Sequence, residues 1–332
     1  MGTPLGSAAG SRRRRLSDTG HFVRDDVRGF LDYLASMDRP ELDEQPLEEA
    51  RMGMIAMAPV IDLPPLDLPV IRELTCPGPA GDIPLRFYDS RASRDAACPL
   101  MLFFHGGGFV VGNLESHHAL CTELAAGMDL PVLAVDYRLA PEHPFPAAPD
   151  DCEAAARWAA KSPHELGIKV NGLIPIGDSA GGNLTIVTTQ SLAEEEAMVP
   201  VVLQVPLYPM TDELGQHPSY RDFAEGFFLS ARAMDFFGGA YKGDAKSRRT
   251  YPMLGRHEGM PPTVVMTAGL DPLRDSGRTY AAHLVAAGAD VIYLEMRGSI
   301  HGWVNMRKAI PSTAKDLADI IAAMKLMLAR HR

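Results

Sequence analysis

Apolar positions along the chain change rhythm in a regular way. Leu100 to Phe104 and Val132 to Val135 are unbroken apolar runs of strand length, and Leu173 to Ile176 and Val201 to Leu207 are nearly so. A strand with one wet face alternates, whereas an unbroken run fits a strand covered on both faces. Helical spacing separates these runs at His118 to Met128, Asp151 to Lys161 and Asn183 to Ala197. The same order resumes later: strand Thr263 to Ala268, helix Asp275 to Ala287, strand Asp290 to Glu295 and helix Ser312 to Ala329. In that last helix Leu317, Ile320, Ile321, Met324 and Leu328 form a single apolar stripe. Strand–helix alternation of this kind predicts an α/β protein, a mainly parallel sheet between two helical layers.

Other stretches depart from that rhythm. Val70 to Leu74 and Ile83 to Tyr88 read as strands joined by a turn at Gly78-Pro79 and Gly81-Asp82. Before them, Val23, Val27, Phe30, Leu31 and Leu34 share one face of a helix over His21 to Met37. A second helix is predicted over Leu47 to Met57, whose methionines fit as core filler or as a wall that adapts to substrates. Residues 209–260 break the alternation, with helical pieces around Ala231 to Phe237. The chain thus divides into an N-terminal segment (1–60, its first 20 or so residues poorly ordered), a core (61–208 and 261–332) and an insertion (209–260). Helices ahead of such a core fit a cap over a site or a packing arm, and the pattern leaves both open.

Composition narrows the class. With 332 residues, 46% of them hydrophobic, one large domain with a small accessory region is expected. A net charge of −10 argues against a nucleic-acid partner, and Arg12 to Arg15, set among Ser, Gly and Asp, read as part of a loose N-terminus. Cys76, Cys98, Cys121 and Cys152 have no C-x-x-C spacing and read as free thiols in a reducing compartment, which points to the cytoplasm. No apolar run reaches membrane-spanning length, and no secretory h-region follows the arginines. No metal-ligand cluster, P-loop or dinucleotide fingerprint is present, so no cofactor is expected.

The chemistry centres on Gly177-Asp178-Ser179-Ala180-Gly181-Gly182, between an apolar strand and a helix. This is the G-x-S-x-G pattern of a nucleophile elbow, a turn so tight that a Cβ two residues either side of the serine would strike backbone. Serine needs a base, and the base needs a group to orient it. Among eleven histidines, His301 follows the Asp290–Glu295 strand through a short loop, Met296 to Ile300, and precedes Gly302, which places it at the carboxyl edge of a strand, where open α/β sheets build their sites. His117 and His118 open a helix and suit a capping or surface role, while His283 suits the border of the core. Asp271 ends the Thr263–Ala268 strand before Pro272 and fits the orienting acid; Asp275 suits a helix cap. The order Ser179, Asp271, His301 is that of α/β hydrolases. His105-Gly106-Gly107-Gly108-Phe109 follows a buried strand and suits an oxyanion loop, with the N–H of Ala180 as a further donor.

Together with Tyr137-Arg138-Leu139-Ala140-Pro141-Glu142, Asp271-Pro272-Leu273 and His301-Gly302, these motifs resemble the hormone-sensitive-lipase-like esterases, bacterial family IV, over about residues 80–330. The resemblance implies an α/β-hydrolase fold with an eight-stranded sheet and a helical cap built from the N-terminal segment and the insertion. It implies a serine carboxylesterase for short- to medium-chain esters, acting through an acyl-enzyme on small-molecule substrates, without cofactor or metal and often as a homodimer. Carried over, the triad falls on Ser179, Asp271 and His301, and the oxyanion donors on Gly107, Gly108 and Ala180. Arg138 and Glu142 are expected to brace their loop as a pair, and Asp178 to fix the elbow. Trp303, where Phe often stands, and the long arginine-rich N-terminus depart from the commoner pattern.

Overall fold

The computed structural model describes residues 20–37 and 40–331; the arginine run at 12–15 lies outside them. Eight strands form one sheet in the order β1-β2-β4-β3-β5-β6-β7-β8. Their ranges are β1 Val70–Gly78, β2 Gly81–Asp89, β3 Cys98–Phe104, β4 Val132–Val135, β5 Val170–Asp178, β6 Val205–Leu207, β7 Thr263–Leu270 and β8 Val291–Ile300. Only β2 runs against its neighbours, pairing antiparallel with both β1 and β4; every other pairing is parallel.

The unbroken apolar runs have the expected cause. Along β3, Leu100, Leu102 and Phe104 pack on one face against Ala155 and Leu184, while Met101 and Phe103 pack on the other against Leu120, Leu124, Leu317 and Met324. Helices α4 (Ala147–Ala159) and α5 (Ala180–Glu194) cover the first face, and α3 (His118–Met128) and α9 (Thr313–Arg330) the second. Burying each such leucine or phenylalanine contributes about 1.5–3 kcal/mol, so neither face tolerates a polar position.

The N-terminal segment is a helix pair, α1 (Asp25–Ser36) and α2 (Leu47–Ile61). Val27, Phe30 and Leu31 of the first are buried, as their spacing predicts, and so is Val23, which precedes the helix. The second differs: Met52 is 57% exposed, and only Ala50 is fully covered. Leu47 and Met54 pack against the core, and polar contacts add to them: Arg51 turns inward and donates to Val110 O (2.9 Å) and Ala140 O (3.0 Å). The insertion contributes α6 (Pro218–Asp222) and α7 (Ala231–Tyr241), and α8 (Arg274–Ala286) returns the chain to the sheet. Arg232 of α7 pairs with Asp43 and Glu44 of the N-terminal segment, joining the two accessory pieces.

Candidate active site

Strand β5 ends at Asp178, and the chain reverses into α5 through Ser179, whose φ of 58° and ψ of −115° are rare for a residue with a side chain. Such strain persists only where surroundings over-determine it. Here Ser179 N donates to Leu207 O at 2.9 Å, and the glycines allow close approach. A Cβ on Gly177 would lie 2.4 Å from Phe104 O, and one on Gly181 only 1.9 Å from the same oxygen. Gly181→Ala is therefore expected to lower stability by about 1–3 kcal/mol or more, read as an earlier urea midpoint. Gly238→Ala, in an exposed helical turn with nothing within 4 Å of the new Cβ, is expected to raise stability by about 0.5–1 kcal/mol. Equal shifts in the two variants would contradict this steric account.

The other two predicted residues arrive from the neighbouring strands. Asp271 follows β7 directly, and its Oδ1 accepts the Leu273 N–H at 2.8 Å, which fixes the carboxylate plane. The stretch Met296–Ile300, expected to be a loop, instead continues β8 through a register shift opposite Ala268 and Leu270, so His301 stands at the very end of that strand. His301 Nδ1 is 2.7 Å from Asp271 Oδ2, and His301 Nε2 is 2.8 Å from Ser179 Oγ. A carboxylate only accepts, so the proton sits on Nδ1 and Nε2 is left to accept from the serine hydroxyl. Asp271 is fully buried, His301 is 6% exposed and the imidazole packs on the Tyr208 ring.

The loop after β3 lies beside the elbow. Gly107 (φ 119°), Gly108 (φ 60°) and Phe109 (φ 64°) take three successive left-handed conformations. A Cβ on Gly107 would stand 2.1 Å from Val111 O, and one on Gly108 2.3 Å from the Phe237 ring. As the first residue of α5, Ala180 has an N–H without an intrahelical acceptor. Asp178 ties loop to elbow: its Oδ1 accepts the Gly106 N–H at 2.9 Å, and His117 Nε2 lies 3.2 Å from the same oxygen. Burial pushes the Asp178 carboxyl up, but His117, His105 and the Gly106 amide overcome it and hold it below its ordinary value. Burial, with His117 alongside, pushes the His105 imidazole down to about 3, so it stays neutral where it stacks on Tyr137.

Several neighbours do not sit where sequence spacing suggested. His117 is buried behind the elbow rather than capping or exposed; it shares a face with Cys121 and Leu124, a periodicity that could have revealed it. His118 bonds Tyr88 Oη at 3.0 Å, and His283 is exposed. Arg138 and Glu142 do not pair with each other. Arg138 binds Asp151 (2.8 Å) and Glu142 binds Arg51 (2.7 Å), because α2 and α4 bring in partners from far along the chain. Asp275 does not cap α8; it lies within its first turn, accepts the Ser219 N–H and pairs with Arg274 and Arg278. Among the described residues, no helix is long and apolar enough to cross a membrane, and no group of three or more His, Cys, Asp or Glu could hold a metal.

A mostly parallel sheet carrying a strained serine on the turn after its fifth strand, within reach of a histidine and an aspartate, defines an α/β hydrolase. Residues 101–305 match the family described as alpha/beta hydrolase fold. The carboxylic ester hydrolase LipN of Mycobacterium tuberculosis is 40% identical over 270 residues, covering 78% of this chain and 71% of that protein. An ethyl acetate hydrolase of Pseudomonas putida is 36% identical, covering 73% of this chain and 78% of that one. Among solved structures, the ester hydrolase EH1AB1 from the Lake Arreo metagenome superposes with a TM-score of 0.85 at 34% identity, covering 93% and 99% of the two chains. The chain belongs to the α/β-hydrolase family and, within it, to the hormone-sensitive-lipase-like esterases.

Proposed function

We propose that this carboxylesterase, which acts on small ester substrates, works through an acyl-enzyme formed on Ser179, with His301 as general base and Asp271 as the group that orients it. Its kinship with named carboxylic ester hydrolases and esterases carries the reaction class. The observation that carries the residue roles is the unbroken 2.8 and 2.7 Å relay from hydroxyl to imidazole to buried carboxylate. Ser179 Oγ attacks the ester carbonyl while its proton passes to His301 Nε2, and Asp271 stabilises the imidazolium. The oxyanion rests on the N–H groups of Gly107, Gly108 and Ala180, where each donor is worth about 2.7–4 kcal/mol to the transition state. Collapse expels the alcohol with that proton. Water then attacks the acyl group, giving its proton to His301, and the carboxylic acid leaves as Ser179 recovers its hydrogen.

The N-terminal helices and residues 209–260 form the cap in this reading, supported by the Arg232 contacts to Asp43 and Glu44 and by Phe237 lying on Gly108. Phe237 on one side and Phe228, close to Gly302, on the other are large rings beside the reacting centre, which favours short to medium acyl chains. The described cysteines are all unpaired, in keeping with a reducing, cytoplasmic setting. A p-nitrophenyl ester series from acetate to palmitate should give turnover highest among the short chains, and a fluorophosphonate probe should label the peptide containing Ser179. Fastest turnover on palmitate would overturn the chain-length assignment, and absence of labelling would overturn the nucleophile.

A further inference from the structure

The turn that carries the Gly107 and Gly108 amides is strained. Three consecutive left-handed residues, one of them the bulky Phe109, do not hold themselves, and such a conformation persists only under outside restraint. Within the turn, Val110 N and Val111 N both donate to Gly107 O at 3.0 Å. The outer restraints come from several sides. The Phe109 ring stacks on Tyr241 at 3.8 Å, and Phe109 O accepts the Ala140 N–H at 2.8 Å. Asp178 Oδ1 accepts the Gly106 N–H and Phe237 lies on Gly108, while Arg51 of α2 holds the far side: its Nε donates to Val110 O, one Nη to Ala140 O, and both Nη atoms reach the Glu142 carboxylate. Val110 and Ala140 are fully buried residues, so their carbonyls have little water to fall back on.

The other end of the same helix grips the opposite side of the site. Asp62, directly after α2, forms a buried bidentate pair with Arg307 (2.7 and 2.8 Å) and accepts the Arg307 N–H. Ile61 O accepts from Lys308 N and Ala309 N. Arg307 lies five residues beyond Gly302, on the segment that leads away from His301. One helix therefore spans from the oxyanion turn to the histidine loop, with a guanidinium contact at each end.

We propose that α2 is a strut that sets the distance between these two loops, and that Arg51 is a positioning residue for ester hydrolysis: by holding Val110 O and Ala140 O it aims the Gly107 and Gly108 amides at the oxyanion. The inference rests on the reading of those amides as oxyanion donors. The hydrogen bonds of Arg51 go to Val110 O, Ala140 O and Glu142 and not to Ser179, Asp271 or His301, so in this proposal its loss moves the transition state and leaves ground-state binding in place. A misplacement of about 1 Å in such a site costs about 100-fold in rate.

The test measures kcat and KM for p-nitrophenyl acetate, together with inhibition by an aryl trifluoromethyl ketone, whose hemiketal with Ser179 places an oxyanion in the same cradle. Arg51→Met is expected to lower kcat by about 10- to 100-fold with KM nearly unchanged, and to weaken the ketone by the same factor. Arg51→Lys, which keeps the charge but lacks the fork to reach all three acceptors, should fall between it and wild type. It carries the test if Arg51→Met does not fold. Glu142→Gln, which removes only the half-exposed ion pair, should leave kcat within about twofold. Wild-type kcat and ketone affinity in the arginine variants, or a loss confined to KM, overturns the proposal. If wild-type enzyme itself ignores the ketone, the serine mechanism fails first and the strut with it; equal inhibition of wild type and Arg51→Met sinks the strut alone.

Discussion

Replacing Ser179 with alanine is expected to lower kcat on a p-nitrophenyl ester by about 10⁶-fold, a loss of about 8 kcal/mol of transition-state stabilisation. The size follows from the way the three side chains act as a unit. Without the hydroxyl, His301 has no proton to take and Asp271 has no imidazolium to stabilise, so their contributions vanish together. What remains is the glycine cradle and substrate binding, which in such sites still exceed the uncatalysed rate by about 10³–10⁴. Folding should hardly notice. Alanine accepts the same φ of 58° that serine already tolerates there, and the backbone bond from residue 179 to Leu207 O is untouched. The lost hydroxyl bond to His301 is worth about 1 kcal/mol, so the urea midpoint moves little. Retention of even a tenth of wild-type turnover by a pure, folded variant points to a different nucleophile.

The parts of this machine visible in the sequence are those where local sterics and chain order coincide. Gly177 and Gly181 announce the elbow because their neighbours leave no room for a Cβ, and Phe104 O stands 2.4 and 1.9 Å from where one would be. Leu100 to Phe104 announces a central strand because both faces are covered. Asp271 and His301 are legible because each follows a strand in an order the elbow anticipates. The supports were hidden for an opposite reason: their partners are set by tertiary packing. Nothing near Glu142 says that its arginine comes from position 51 rather than 138, and nothing near Arg307 points to Asp62, 245 positions earlier. Strand β8 was cut short for a related cause. Gly298 takes φ 71°, and there the strand bulges and continues to Ile300. Helix α2 shows the same limit: its apolar face is legible, and Met54 does pack against the core, but nothing nearby in the sequence says that Arg51 also docks the helix.

Asp271→Asn is expected to be the second most damaging change, lowering kcat by about 10⁴-fold with little loss of stability. Asparagine has the same shape, and its carbonyl oxygen can keep the Leu273 N–H bond that orients the group. The amide nitrogen is then left facing His301 Nδ1, 2.7 Å from the position of Oδ2. Being a donor, it selects the tautomer with Nδ1 bare and the proton on Nε2. That proton points at Ser179 Oγ, so the ring meets the nucleophile as a donor where a base is required. The imidazolium that forms during attack also loses its counter-charge. Asp275 supplies the control. Its carboxylate accepts from Ser219 N and pairs with Arg274 and Arg278, none of which touches His301. Asp275→Asn should therefore cost kcat less than about tenfold, since any effect must travel through the helix–loop contact alone. If the two variants lost activity equally, Asp271 would not be the residue that sets the histidine tautomer.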